Sequence, residues 1–165
     1  MNSLNDVIDT IGLPTISQVG VVVRDVRKAS ALYSGFFALG PFTIYEFVPD
    51  RHWFMEEPSP LRLMMGKAMW GAVELELIEP LEGRSLHQEF LDSHGEGLQH
   101  LGFNVPDYEK VYDRMVQAGF MPLMRAESFL KQYGGYLKAC YFDTRRLGGV
   151  ICEIIWKSWL SECTT

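Results

Sequence analysis

The chain has 165 residues, of which 47% are apolar and 22% are charged, and its formal net charge is −6. This composition predicts one folded domain with a core of its own. The net negative charge argues against a nucleic-acid-binding groove, which requires clustered cations. No apolar run approaches the roughly 18 residues needed to span a bilayer. The N-terminal stretch MNSLNDVIDTIGLP is too polar for a signal peptide. Three widely separated cysteines favour free thiols in a reducing cytosol, so we expect a cytoplasmic protein.

The first half of the chain predicts one strand, one helix and three further strands. Residues 16–23 are apolar and rich in β-branched side chains, as in a buried strand. A helical pattern follows, with Asp25 as the candidate N-cap and Gly40 as the stop signal. The next predicted strands cover residues 42–48, 61–65 and 72–78. A polar and aromatic loop, PDRHWFMEEPSP (49–60), separates the first two of them.

The second half of the chain repeats this order. It begins with a predicted strand over residues 100–105, followed by the helical segment DYEKVYDRMVQAG with Asp107 as its N-cap. The remaining predicted strands cover residues 121–126, 136–142 and 150–156. Each half is therefore a β-α-β-β-β unit, which alone would bury too little apolar surface to be stable.

These halves predict a single α+β domain, in which two βαβββ modules pair into a curled, eight-stranded mixed sheet around a metal-binding cleft. Module 1 covers about 16–80 and module 2 about 98–157. A connector (81–97) with one short helix joins them, and residues 158–165 form a tail. The two histidines of the connector, His87 and His94, are expected to be solvated because their neighbours are polar.

Two pairs of short sequence motifs define the repeat. SQVGVVVRD (17–25) aligns with QHLGFNVPD (99–107), so that Gln18 matches His100 and Gly20 matches Gly102. In the last strand of each half, LELI (75–78) aligns with CEII (152–155), which matches Glu76 with Glu153. Each half thus places one neutral electron-pair donor and one carboxylate within an apolar strand.

Polar residues in buried strands are informative because such strands are otherwise apolar. A buried carboxylate without a partner is costly, and a divalent cation removes that cost. Three oxygens and one imidazole nitrogen suit Zn²⁺, Co²⁺, Ni²⁺, Mn²⁺ or Mg²⁺, and differ from the thiolate-rich sites of structural zinc. The repeat therefore predicts a metal site made of Gln18, Glu76, His100 and Glu153, although either glutamate taken alone would also fit a solvated strand face.

The pattern resembles the vicinal oxygen chelate superfamily, which holds glyoxalase I, methylmalonyl-CoA epimerase, extradiol dioxygenases and bleomycin-resistance proteins. The resemblance covers residues 16–157, and GEGLQHLGF is its most specific phrase. The segments VELELIEPLEGRSLHQEFLDSHGEGLQHLGFNV and YFDTRRLGGVICEII are most similar to the epimerase group. In this superfamily the metal ligands lie on the first and last strands of each module, which implies the same four residues.

Comparing these residues with three enzyme groups of the superfamily indicates which functions are favoured. Epimerases usually begin the first strand with a histidine, where this chain has Gln18, and carry a second catalytic carboxylate on the third strand, where it has Arg62. A Gln/Glu/His/Glu set is similar to zinc-type glyoxalase I. An extradiol dioxygenase needs two histidines and one carboxylate, which this set does not match.

The resulting hypothesis is a metal-dependent lyase or isomerase, which acts through a metal-stabilised enolate of a small carbonyl or carboxylate substrate. Glu153 or Glu76 would be the general base. Arg62 would bind a substrate oxyanion or, alternatively, form an ion pair with Glu46 or Glu74. A metal-free small-molecule binding protein of the same fold is the alternative function.

Two apolar features suggest further contacts. Trp53, in the 49–60 loop, would form a lid or pocket wall for the substrate, or would pack at the interface of a homodimer. Met64, close to Met65 and Met69, would line an adaptable apolar cleft or belong to an ordinary core.

Overall fold

The structure is a computed structural model that describes residues 11–161. Module 1 contains β1 (Gln18–Val22), α1 (Val26–Phe37), β2 (Thr43–Phe47), β3 (Arg51–Phe54), β4 (Glu57–Pro58), β5 (Arg62–Trp70) and β6 (Val73–Glu82). The connector holds α2 (Leu86–His94). Module 2 contains β7 (Gly97–Asn104), α3 (Tyr108–Gln117), β8 (Pro122–Leu130), β9 (Gly135–Phe142) and β10 (Ile151–Lys157), and is followed by α4 (Ser158–Ser161).

The long helices begin where the sequence predicts. The Asp25 and Asp107 carboxylates each accept a hydrogen bond from a backbone N–H in the first helical turn, at 2.9 and 3.1 Å. The predicted stop at Gly40 is two residues late, because Ala38 takes the left-handed conformation (φ 53°) and ends α1. These helices connect each module's first strand to its outer strands.

Within residues 11–161, one mixed sheet contains all ten strands, in the order β2-β5-β6-β1-β7-β10-β9-β8-β3-β4. The modules meet at β1 and β7, which run antiparallel. The last strand of each module, β6 or β10, runs parallel to the first strand of the same module. The centre of the sheet is therefore β6-β1-β7-β10, the four strands on which the sequence placed the metal ligands.

The sheet has ten strands instead of the predicted eight, because the 49–60 loop forms two more. β3 leaves module 1 and pairs antiparallel with β8, the outer strand of module 2, with His52 opposite Ala126. Side chains along β3 alternate, so that His52 and Phe54 are buried while Arg51 is exposed. The loop is therefore a crossing arm, β3–β4, that ties one module to the other within the same chain.

The two long helices, α1 and α3, each pack on one face of their own module. α1 packs on module 1, where Val26 meets Leu75 and Leu77. α3 packs on module 2, where Met115 is in a cluster with Phe142. The opposite face of the four central strands is left to line a cleft, and none of the helices within residues 11–161 is long and apolar enough to cross a membrane.

Replacing Phe54 with Ala should lower the free energy of unfolding by about 3–5 kcal/mol, because the ring is 4% exposed and packs against Leu86 and Tyr141. Val48→Ala, at a position that is 56% exposed, should change it by less than about 0.5 kcal/mol. Urea unfolding of both variants measures the difference. Equal, small effects would contradict the inclusion of the crossing arm in the core.

Candidate metal centre

The strand register brings the four predicted ligands to one place in the sheet. Gly20 of β1 is paired with Glu76 on one side and with His100 on the other. On the opposite side of the β1–β7 pair, Gly102 is opposite Gln18 and next to Glu153. All four polar side chains are buried, with exposed fractions of 4% or less.

Close contacts with neighbouring side chains explain why the repeat has glycine at positions 20 and 102. A Cβ atom on Gly20 would lie 1.8 Å from Cε1 of His100, so only glycine leaves room for the imidazole. A Cβ on Gly102 would lie 2.9 Å from Oε1 of Gln18. Each module therefore provides the space that the other module's neutral ligand occupies.

The ligand atoms are separated by distances that suit a shared cation. Nε2 of His100 lies 3.6 Å from Oε2 of Glu76 and 3.5 Å from Oε2 of Glu153, and the three groups fit within a 4.8 Å cluster. Atoms about 2.1 Å from one ion in tetrahedral geometry are roughly 3.4 Å from each other. The spacing is longer than a good hydrogen bond and matches joint coordination.

Three of these atoms also lack a hydrogen-bond partner among the described residues. They are Oε1 of Gln18, Nε2 of His100 and Oε2 of Glu153, all buried. Buried polar atoms without partners are rare in folded proteins and each calls for an explanation. Lone pairs on an amide oxygen, an imidazole nitrogen and a carboxylate, together with Glu76, form a donor set that fits a divalent cation.

The sequence analysis missed Lys67, which lies beside this donor set. Its Nζ atom is 2.8 Å from Oε1 of Glu76 and 3.2 Å from Oε1 of Glu74. The same Glu74 oxygen accepts a hydrogen bond from Nε2 of Gln18 at 2.8 Å. This bond fixes the amide, so that Oε1 of Gln18 is free for the site. Period-two alternation along β5 would have placed Lys67 on the face of Leu63 and Met65, but the lysine looked like an ordinary surface charge.

The two buried carboxylates have opposite electrostatic environments. Burial raises the pKa of Glu153 to about 7, against the opposing effects of His100 and the Tyr141 hydroxyl. Burial also acts on Glu76, but the Lys67 ammonium and His100 outweigh it and hold the pKa of that carboxyl well below its usual range. Glu76 therefore stays ionised, whereas Glu153 can hold or release a proton near neutral pH.

Arg62 does not face the cleft. Its guanidinium is exposed and donates to Glu46 at 2.8 Å and to Glu82 at 3.0 Å. The ion pair with Glu46 is one of the alternatives that the sequence left open, whereas Glu74 pairs with Lys67 instead.

Two other residues expected to contact substrate also lie elsewhere. Met64 packs into the cluster beneath α1, because it alternates with Leu63 and Met65 on β5. Trp53 lies under the Arg125 guanidinium, 4.8 Å from its carbon, on a face of β3 that alternates with the buried His52 and Phe54. The core position of Met64 is one of the two alternatives that the sequence left open, and consecutive residues of a strand face opposite sides of the sheet.

A cleft of about 160 Å³ opens beside the donor set. Its wall is mostly apolar and includes Leu63, Met65 and Leu137, with Tyr133 and Trp159 stacked 4.8 Å apart. Lys67 and His87 also border it. The geometry is that of a small-molecule site, with an apolar body and a few polar groups at one end.

Comparison with known proteins agrees with this architecture. Residues 17–136 match the family model of the glyoxalase/bleomycin resistance protein/dioxygenase superfamily. No curated protein matches the chain.

Several solved structures share the fold. Methylmalonyl-CoA epimerase from Mycobacterium tuberculosis is 20% identical, with 87% of this chain and 88% of that chain covered and a TM-score of 0.61. A variant of the Streptomyces coelicolor epimerase, in complex with 2-nitronate-propionyl-CoA, is 20% identical, with coverage of 89% and 99% and a TM-score of 0.63. A mutant of 4-hydroxymandelate synthase from Streptomyces coelicolor is 18% identical, with coverage of 88% and 48% and a TM-score of 0.60.

Replacing Gly20 with Ala should displace the His100 ring and lower the free energy of unfolding by about 1–3 kcal/mol or more, as overpacking does. Gly35→Ala is the matched control, because nothing lies within 4 Å of the added methyl group in α1. That variant should be as stable as the parent or more stable by up to about 1 kcal/mol. Urea unfolding measures both, and equal stabilities would contradict the packing of His100 over Gly20.

Proposed function

The chain belongs to the glyoxalase/bleomycin resistance protein/dioxygenase superfamily, and on that premise we propose that it is a metal-dependent lyase or isomerase. It would remove a proton next to a carbonyl group of a small substrate that chelates through oxygen atoms. The observation that carries the proposal is the set of buried, unpartnered atoms of Gln18, His100 and Glu153 beside Glu76. A divalent cation held by these residues would act as a Lewis acid toward substrate oxygens and acidify the adjacent C–H bond.

Glu153 is the better candidate for the general base. Burial raises its pKa to about 7 in the metal-free site, which makes Glu153 the more basic of the two carboxylates. Glu76 is less suited, because the Lys67 ammonium 2.8 Å away keeps it ionised and weakly basic. Tyr141 is opposite Glu153 on the neighbouring strand β9, and its hydroxyl would hold the carboxylate in place during proton transfer.

Lys67 supports the same chemistry through its charge. The ammonium stays protonated, because Glu76 and the other neighbouring acids outweigh the effect of burial and raise its pKa. A fixed positive charge in a water-poor cleft favours negative charge that develops on a substrate oxygen. Formally, the carboxylates of Glu74, Glu76 and Glu153 exceed the charges of Lys67 and Lys157, which also borders the cleft, by one negative charge.

Strand β5, which corresponds to the third predicted strand of module 1, provides evidence on the type of reaction. The side chains that β5 directs into the cleft are Leu63, Met65 and Lys67, and none of them is an acid. A proton transfer between two carboxylates on opposite sides of one carbon therefore lacks its second acid on this strand. This favours a reaction that uses one base, Glu153, over a two-carboxylate epimerisation.

A metal-free binding protein is the second candidate, and Lys67 is the observation that favours it. The ammonium already forms ion pairs with both Glu76 and Glu74 without any added ion, and so balances one of their two negative charges. In that case the apolar cleft alone would sequester a small molecule. The unpartnered atoms of Gln18, His100 and Glu153 are what this alternative leaves unexplained.

Metal analysis distinguishes the two candidates. Protein purified without an affinity tag should contain, or take up on titration with Zn²⁺, Co²⁺, Ni²⁺ or Mn²⁺, about one equivalent of divalent metal. His100→Ala should abolish uptake, whereas His94→Ala, at an exposed position of α2, should preserve it. Less than about half an equivalent, with none taken up on addition, would overturn the metal-dependent proposal in favour of the metal-free one.

The role of Glu153 is tested by proton exchange. Deuterium uptake from D₂O into 2-oxo acids and 1,3-dicarbonyl compounds, followed by NMR, should be catalysed by the metal-loaded protein. Glu153→Gln should slow the exchange by about 10²–10⁴-fold, since the amide cannot accept the proton. Glu109→Gln, which removes an exposed partner of Lys138, is the control and should exchange at the parent rate. Unchanged exchange in Glu153→Gln would exclude it as the base.

A further inference from the structure

A fully buried histidine that belongs to neither repeat borders the cleft. His87 lies in the first turn of α2, in the connector, and its ring is 0% exposed. The sequence placed it in a solvated stretch, because its neighbours in the chain are polar. Instead α2 turns Leu86, His87 and Leu91 inward, so the imidazole reaches the cleft wall.

A β-bulge brings His87 into contact with the metal centre through Gln99. The register of the β1–β7 pair shifts after Gly20, so that Val21 pairs with Leu98 and Gln99 is left without an opposite residue. Adjacent residues of a regular strand point to opposite faces, whereas a bulge can direct both to the same side. Gln99 thereby hydrogen-bonds to the ring of its neighbour, His100.

The hydrogen bonds of Gln99 determine the proton positions on both rings. Its Nε2 donates to the backbone carbonyl of Leu86 at 3.0 Å, which fixes the orientation of the amide. Oε1 then lies 2.7 Å from Nδ1 of His87 and 3.1 Å from Nδ1 of His100. A carbonyl oxygen only accepts, so both Nδ1 atoms must carry the proton. In the neutral rings, both Nε2 atoms are then lone-pair acceptors.

The two acceptors differ in what they face. Nε2 of His100 belongs to the proposed metal set. Nε2 of His87 is also buried and has no partner among the described residues, although the ring lines the cleft. The ring is fully buried and forms no ion pair within the described residues, and burial disfavours its charged form, so it is a neutral acceptor. Leaving such an acceptor buried and unpaired is unfavourable, and a ligand with a donor group would remove that cost.

We propose that Nε2 of His87 recognises the substrate by accepting a hydrogen bond from a hydroxyl or N–H group. The substrate class is then an oxygen-chelating carbonyl compound with a second, hydrogen-bond-donating group beyond its chelating oxygens. The chelating half of this description rests on the proposed function. The ring centroids of His87 and His100 are 5.9 Å apart, so the donor lies within the reach of one small molecule that also chelates. Analogues without the donor are discriminated against, because they leave Nε2 buried and unpaired.

The tautomer is tested on the metal-free protein. NMR of protein labelled with ¹⁵N in its histidine rings should show His87 protonated on Nδ1 and unprotonated on Nε2. A proton on Nε2 would overturn the proposal, because the atom would then be a donor. This measurement needs neither a metal nor a variant.

The recognition role is tested with Zn²⁺-loaded protein and three chelating probes: benzohydroxamate and its 3-hydroxy and 4-hydroxy derivatives. At least one hydroxylated probe should bind about tenfold more tightly than benzohydroxamate, the gain expected for one hydrogen bond. His87→Leu should remove that gain and leave benzohydroxamate affinity unchanged, whereas His94→Leu, at an exposed position of the same helix, should preserve the gain.

Equal binding of all three probes to the parent protein, or a gain that survives His87→Leu, would overturn the role of His87 alone. Failure of all three to bind would overturn the metal-dependent function and the substrate class with it. The comparison of probes on the parent protein stands without the variant if His87→Leu does not fold.

Discussion

Two side chains cross the boundary between the modules. Each of them fills the space above a glycine that belongs to the opposite module. His100 lies over Gly20 and Gln18 lies over Gly102, at the antiparallel β1–β7 pair. The contact is steric and mutual, so neither module can shift along the boundary without expelling a side chain from its place. The distances among the donor atoms, the burial of Glu153 and the shape of the cleft all depend on this register.

The same register makes two chemically identical carboxylates different. Pseudo-twofold symmetry places Glu76 and Glu153 at matching positions, but only Glu76 has a lysine from a neighbouring strand beside it. One carboxylate is thereby kept charged, and the other, buried without a counter-ion of its own, is left with a pKa near neutrality. When two neighbouring acids have different pKa values, the ionised one is suited to binding and the one that titrates near neutral pH is suited to proton transfer. Lys67 is the residue that breaks the symmetry of the two modules.

The sequence predicted the internal repeat of two βαβββ halves and the family to which the chain belongs. A repeat can be recognised in a sequence because both copies have similar residue types at equivalent buried positions. The crossing arm was not predictable in this way, since it has no copy in module 2 and its partner strand, β8, is distant in sequence. The sequence left Met64 between a cleft and a core position, because β5 is longer than the predicted strand and apolar on both sides, so its alternation does not show which side is the cleft.

Both neutral members of the donor set are oriented by a neighbour, and the two neighbours differ. Glu74 holds the Gln18 amide from the adjacent strand of the same module. Gln99, displaced by a bulge, holds His100 and extends the network to the connector. A site with two matching halves would bind a substrate equally well in either direction. The connector has no counterpart in the repeat, so a polar group that it contributes to the cleft wall gives the site one direction and can determine which end of the substrate meets Glu153.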